Sequence, residues 1–126
     1  LQTGSDSYEV QCEASKKIMV FCSSDRIGSG NPELGKKLMI NYLRTVKELG
    51  DDLWRLVLVN AGVKLAVNGS EVLQDLQDYE NEGRTILVCG TCLDHYKLLD
   101  QKQVGQVTNM LDIVTAMQLA DKVISL

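Results

Sequence analysis

Short apolar runs, each too brief for a helix, alternate along this chain with longer stretches in which apolar residues recur every three or four positions. Lys17 to Cys22, Leu53 to Val59 and Arg84 to Cys89 are near-continuous apolar runs of strand length. Runs of that kind belong to sheets covered on both faces, since every side chain then meets a neighbour rather than water. Val104 to Thr108, broken by Gly105, is a weaker fourth run, and Lys122 to Leu126 closes the chain as a fifth. After the turn-rich loop Ser23 to Gly30, Asn31-Pro32-Glu33 opens a helix, with Asn as N-cap, Pro first and an acid near the positive end. Its inward stripe is expected to be Leu34, Leu38, Tyr42, Val46 and Leu49, widened by Met39 and Leu43, with Gly50 as the stop. Ala61 to Gly69 reads as a loop or short helical turn. Ser70 is expected to cap a second helix with Val72, Leu73, Leu76 and Tyr79 inward, ended by Gly83. A short helix over Leu93 to Leu99 follows, then one capped by Asn109 that buries Leu111, Val114, Met117 and Leu119. Strands and helices alternating at these lengths predict βαβ units, right-handed crossovers and an α/β fold with a parallel sheet covered on both faces.

The 126 residues suit one domain, and 44% hydrophobic content is enough for a true core. A net charge of −4 argues against a nucleic-acid partner, which would call for a basic stripe. No apolar run approaches the roughly 20 residues of a membrane helix. The polar amino end shows no export signal, so a cytoplasmic location is expected. Residues 1–15 are polar and without period. They read as a linker or tail, in a chain that begins at Leu1 and is expected to be a piece of a longer protein. Cys12 lies in that segment and is given no catalytic role.

Chemistry concentrates in Thr85-Ile-Leu-Val-Cys-Gly-Thr-Cys-Leu-Asp-His-Tyr96. The run puts Cys89 at the carboxyl end of a strand and Cys92 in the first turn of a helix, where unpaired N–H groups and the positive helix end gather. A thiolate is favoured in those surroundings, so a reactive thiol is expected. CxxC spacing in a chain large enough to fold without disulfide staples points to redox or sulfur work. His95, three residues after Cys92 on the same helical face, is either a proton carrier or simply exposed.

Other patterns fall to structural readings. Gly30-x-x-x-x-Gly35-Lys36-Lys37 resembles a phosphate loop, but Lys37 cannot hold magnesium, Pro32 removes an N–H and Glu33 repels phosphate. A dinucleotide fingerprint also fails at Glu33. Asn68-Gly69-Ser70 is a turn and cap before it is a glycosylation site. Trp54, inside a strand, belongs to the core or to an interface. A structural zinc site wants four ligands, and one CxxC with Cys12, Cys22 and a single histidine is a poor set, so no metal or cofactor is expected. The lesser alternative for the two thiols is a pair of inert core residues or a buried structural disulfide, since free cysteine is often simply buried.

Cys89-Gly-Thr-Cys-Leu-Asp94, taken with Asn60-Ala-Gly-Val-Lys-Leu-Ala-Val67, resembles the DsrE/DsrF-like sulfur-relay family. The likeness is greatest to the carboxyl-terminal domain of YedF-type proteins of sulfur or selenium metabolism. It runs from Lys17 to Leu126 and includes Gly28-Ser-Gly30, Glu33-Leu-Gly35-Lys36, Gly69-Ser70, Val104-Gly105 and Asn109-Met110. The resemblance implies a DsrE-like domain over residues 16–126, with three α/β/α layers and five parallel strands in the order 4-3-2-1-5. It implies homo-oligomers and, as partner, a TusA/SirA-like domain (the one that would precede the linker) or another sulfur carrier. It also implies a persulfide on Cys89, which matches the cysteine ending the third strand in relay members. Tyr96-Lys97 stands where many relay members have Arg-Gly, a departure shared with the YedF-type branch.

The expected mechanism is a persulfide relay. Cys89 takes a sulfane sulfur, N–H groups around Gly90, Thr91, Cys92 and Leu93 steady the anion, and Lys64 and Asn60 assist from the neighbouring strand end. Cys92 releases sulfide or passes the sulfur on. Two other readings stand beside it, a thiol–disulfide redox module on Cys89 and Cys92 and a non-catalytic binding domain. Cys22, two strands from Cys89 in the implied order and roughly 10 Å away, is too far for a disulfide.

Overall fold

A computed structural model describes residues 15–126. Cys12 and the expected linker up to residue 14 lie outside the described residues. The elements in chain order are β1 (Ile18–Cys22), α1 (Pro32–Thr45), β2 (Leu53–Leu58), α2 (Leu73–Asn81), β3 (Thr85–Cys89), α3 (Gly90–His95), β4 (Gln106–Thr108), α4 (Met110–Leu119) and β5 (Lys122–Ser125). Tight 3-10 turns cover Val46–Asp52, Asn60–Ala66 and Leu99–Gln101.

The five strands form one sheet in the order β4-β3-β2-β1-β5, and every pairing is parallel. Successive strand residues point to opposite faces, and the apolar runs fill both. Val20, Cys22, Leu56, Leu58, Ile86 and Val88 join the larger core, with Met39 and Leu43 of α1, Leu76 of α2 and Leu93 of α3. Met19, Val57 and Leu87 face the other way, onto Ile113 and Ala116 of α4. The three-layer α/β/α architecture and the strand order are those expected. The register Cys22–Leu58 and Leu58–Val88 aligns the carboxyl ends of β1, β2 and β3 along one edge.

Both asparagine caps form. Asn31 Oδ1 accepts the Leu34 N–H at 2.9 Å, and Asn109 Oδ1 accepts the Asp112 N–H at 2.9 Å. Ser70 acts one step earlier than expected. Its Oγ takes the Val72 N–H at 3.2 Å in a turn, and α2 begins only at Leu73, which is itself half-buried.

The inward faces of two helices differ from the sequence reading. In α1 the buried row is Gly35, Met39 and Leu43, continued by Val46, while Leu34, Leu38 and Leu49 are exposed. The loop before α1 decides this. Ile27 donates its N–H to the Gly35 carbonyl at 3.1 Å, and a Cβ on Gly35 would sit 3.0 Å from Arg26 Cβ. The glycine row is therefore the one that turns inward. In α4 only Ile113 and Ala116 are buried, and Leu111, Val114, Met117 and Leu119, all expected inside, are exposed. Apolar residues occupy most of the α4 circumference, so periodicity cannot select a face. Ala116 and Ile113 are the pair that packs with Met19, Val57 and Leu87 of the sheet. Finally, α3 starts at Gly90 rather than Leu93 and ends at His95; Lys97 then takes a positive φ of 60° and breaks the helix. No described helix is long and apolar enough to cross a membrane.

Candidate functional site

Cys89 is both the last residue of β3 and the N-cap of α3, with φ −62° and ψ 118°. Its Sγ accepts the Cys92 N–H at 3.4 Å, in the role an Asp or Ser oxygen usually plays. Only 5% of Cys89 is exposed, and it packs in the larger core. Cys92 stands further out, half-buried, and its Sγ accepts the Asn60 N–H at 3.1 Å. Both thiols are free.

The donor to Cys92 comes from the turn that follows β2. Asn60 holds a left-handed φ of 51°, which asparagine tolerates better than most residues, and this aims its N–H across the sheet edge. Gly62 seats the same turn against the end of β1, where a Cβ would collide with the Cys22 carbonyl. Asn60 Oδ1 accepts the Tyr96 hydroxyl at 2.7 Å, and Lys64 Nζ lies over the Tyr96 ring at 4.7 Å. Lys64, Tyr96, Asn60, Cys92 and Cys89 thus form one connected row.

Burial pushes the Cys92 thiol above its ordinary value, the neighbouring Cys89 adds to the rise and the Asn60 amide opposes it, so at Cys92 the thiolate expected from the sequence is disfavoured by burial. Burial alone pushes Cys22 up to about 12, which leaves that thiol inert. β2 lies between β1 and β3, so Cys22 is removed from the pair. Among the described residues, no group of three or more His, Cys, Asp or Glu side chains has the arrangement to hold a metal ion.

The expected supporting residues are sorted by this geometry. Asn60 does donate, but from its backbone, and to Cys92 instead of Cys89. Lys64 reaches the pair through an aromatic ring. Gly90 leaves room for β4, since a Cβ there would come within 2.9 Å of Val107 Cγ1. Thr91 is exposed. His95 is exposed too, edge-on to Tyr96 at 5.2 Å, and among the described residues it makes no hydrogen bond to either sulfur. With six residues, α3 acts on Cys89 through the individual Cys92 N–H rather than through a long dipole. Tyr96 is the residue the sequence reading missed. Its place four positions after Cys92, one turn along the same helical row, was the available signal.

Fold and site together define a small α/β/α domain that carries a free dithiol where its third parallel strand hands over to a helix. The DsrE/DsrF-like family model matches residues 16–126, and the chain belongs to that family. Solved structures that share its fold include the following two. The ychN protein from E. coli superposes with a TM-score of 0.68 at 18% identity, covering 88% of this chain and 99% of that one. The protein of unknown function MTH1491 from Methanobacterium thermoautotrophicum gives 0.65 at 15% identity, covering 89% and 100%. At such identities the likeness speaks for the fold. No curated protein is similar enough in sequence to count as a match.

Proposed function

We propose that this domain carries sulfane sulfur, held as a persulfide on Cys89 and exchanged through Cys92. The observation that supports the reading most is the pair of amide-to-sulfur contacts, Cys92 N–H to Cys89 at 3.4 Å and Asn60 N–H to Cys92 at 3.1 Å. Two sulfurs each facing an N–H make a row along which a persulfide anion stays solvated as it moves. Membership of a family linked to sulfur relay supports it independently.

Exposure orders the steps. The Cys92 thiolate, the more accessible, attacks the outer sulfur of a donor persulfide, R–S–SH. The donor S–S bond breaks, its electron pair leaves on the donor thiolate, and Cys92–S–SH forms. The Cys89 thiolate then attacks that same outer sulfur, giving Cys89–S–SH and freeing Cys92 as thiolate. Neither exchange changes the oxidation state overall, and delivery to an acceptor thiolate is the reverse path. If Cys92 instead attacks the inner sulfur of Cys89–S–SH, hydrosulfide leaves and a Cys89–Cys92 disulfide remains, to be reset by an external dithiol.

Intact-mass measurement of protein incubated with a persulfide donor should show one added sulfur. Cys92→Ser should load more slowly but keep the sulfur on Cys89, and Cys89→Ser should not hold it. Stable loading of Cys89→Ser would remove Cys89 from the storage role. The closeness of the two cysteines, with the Cys92 N–H reaching the Cys89 sulfur at 3.4 Å, also favours a second reading, a thiol–disulfide module that cycles without carrying sulfur. A reversible Cys89–Cys92 disulfide with no mass gain from any donor would select it. In the relay reading the partner is a TusA/SirA-like carrier in the cytoplasm. The domain self-associates through α4, whose outer face exposes Met110, Leu111, Val114 and Met117, an apolar surface seldom left open on a monomer.

A further inference from the structure

A groove of about 340 Å³, at the small end of the roughly 300–1,000 Å³ that holds small-molecule ligands, shares Lys64 with the row of residues that ends at the dithiol. Ile40, Leu65 and Leu98 give it an aliphatic lining, and Lys36, Lys64 and Glu71 give it charge. Among the described residues, neither lysine has a carboxylate within ion-pair distance, and neither does Glu71 have a cation. Asp25, the other acid of the wall, lies 3.8 Å from Arg26. The groove therefore presents two unneutralised cations and one unneutralised acid around an aliphatic floor. Lys64 belongs to both places, since the same ammonium lies over the Tyr96 ring that leads through Asn60 to Cys92.

We propose that this groove binds a low-molecular-weight thiol or persulfide of short-peptide type, carrying two carboxylates and one ammonium. The carboxylates pair with Lys36 and Lys64, the ammonium with Glu71, and the methylenes cover Ile40, Leu65 and Leu98. Other ligand classes match less well. A phosphate would leave Glu71 without a cation, a nucleobase would find no aromatic ring in the lining, and an apolar molecule would leave the lysines without counter-charge. As the source or recipient of sulfur, this ligand rests on the relay reading; as a binding site, the groove needs neither thiol.

Titration calorimetry with S-methylglutathione, whose sulfur is blocked, separates the two. Saturable binding should appear for the wild type and equally for Cys89→Ser/Cys92→Ser. Affinity should fall about tenfold or more in Lys36→Gln/Lys64→Gln and several-fold in Glu71→Gln, each pairing being a charge-assisted contact. N-acetylation of the probe should weaken binding to the wild type and leave Glu71→Gln unaffected. Absence of saturation up to about 10 mM, or unchanged affinity in the lysine variant, would overturn the proposal. Probe binding with no sulfur uptake from glutathione persulfide supports the groove and counts against the relay. Uptake that is insensitive to the lysine variant, with no probe binding, does the opposite.

Discussion

The backbone N–H of Asn60 points at the sulfur of Cys92 across 3.1 Å, from a residue held at a φ of 51°. A contact between a strained turn on one strand end and a thiol on the next ties the reactivity of Cys92 to the conformation of the turn after β2. The left-handed conformation costs an ordinary L-residue roughly 1–2 kcal/mol, and asparagine and glycine less. Asn60→Ala should therefore lose about 1–2 kcal/mol of unfolding free energy in denaturant titration. Asn60→Gly keeps the backbone donor and forfeits only the bond to the Tyr96 hydroxyl, so the Cys92 alkylation rate should stay within about twofold of wild type. A large rate change in the glycine variant would show that the side chain, not the amide, governs Cys92.

Thiol reactivity should follow exposure. In the folded protein iodoacetamide should modify Cys92 first, Cys89 far more slowly and Cys22 only on unfolding, because Cys92 is half-buried and the other two are buried. Burial and the neighbouring Cys89 raise the Cys92 thiol above its ordinary value of 9.0, so less thiolate is present at neutral pH than in a free cysteine. The Cys92 rate should thus keep climbing beyond pH 9 in a mass-resolved time course. A plateau reached near pH 7 would contradict the raised value.

Alkali should destabilise the fold through Cys22. Burial pushes its thiol up to about 12 in the folded chain from an ordinary 9.0, so between those limits the folded state holds the proton that the unfolded chain releases. The contribution is complete below pH 9 and is lost as pH rises toward 12, on the order of 4 kcal/mol across the window. Tyr79, also raised to about 12 from 10.0 by burial, adds to the same slope. Cys22→Ala should be less stable near neutrality yet show a shallower fall above pH 9 in urea titrations. An unchanged slope would remove Cys22 as a cause.

Self-association through α4 is tested by charge. Sedimentation of the wild type should give a dimer or larger species, and Leu111→Glu with Met117→Glu should give monomers that keep the wild-type circular dichroism, since both side chains are exposed. A wild-type monomer at high concentration would leave the α4 face without this role.

Much of this was legible in order along the chain. Five apolar runs and the turns between them announced the strands, and Asn31 and Asn109 capped the helices they were expected to cap, because strand burial and capping depend on residues close in sequence. The position of Cys89 at the end of β3 and of Cys92 one turn into a helix followed from the same local signals. What stayed hidden was every choice between faces. α1 turned its Gly35 row inward because a loop lay against it, and α4 left Leu111 and its neighbours outside because apolar residues on most sides offer no preferred stripe. Likewise the sequence could place Asn60 near the cysteines but not say which atom would donate or to which sulfur. Local propensity is written in neighbouring residues. The direction of an N–H toward a sulfur 32 positions away depends on how three strand ends line up, and only the assembled sheet decides that.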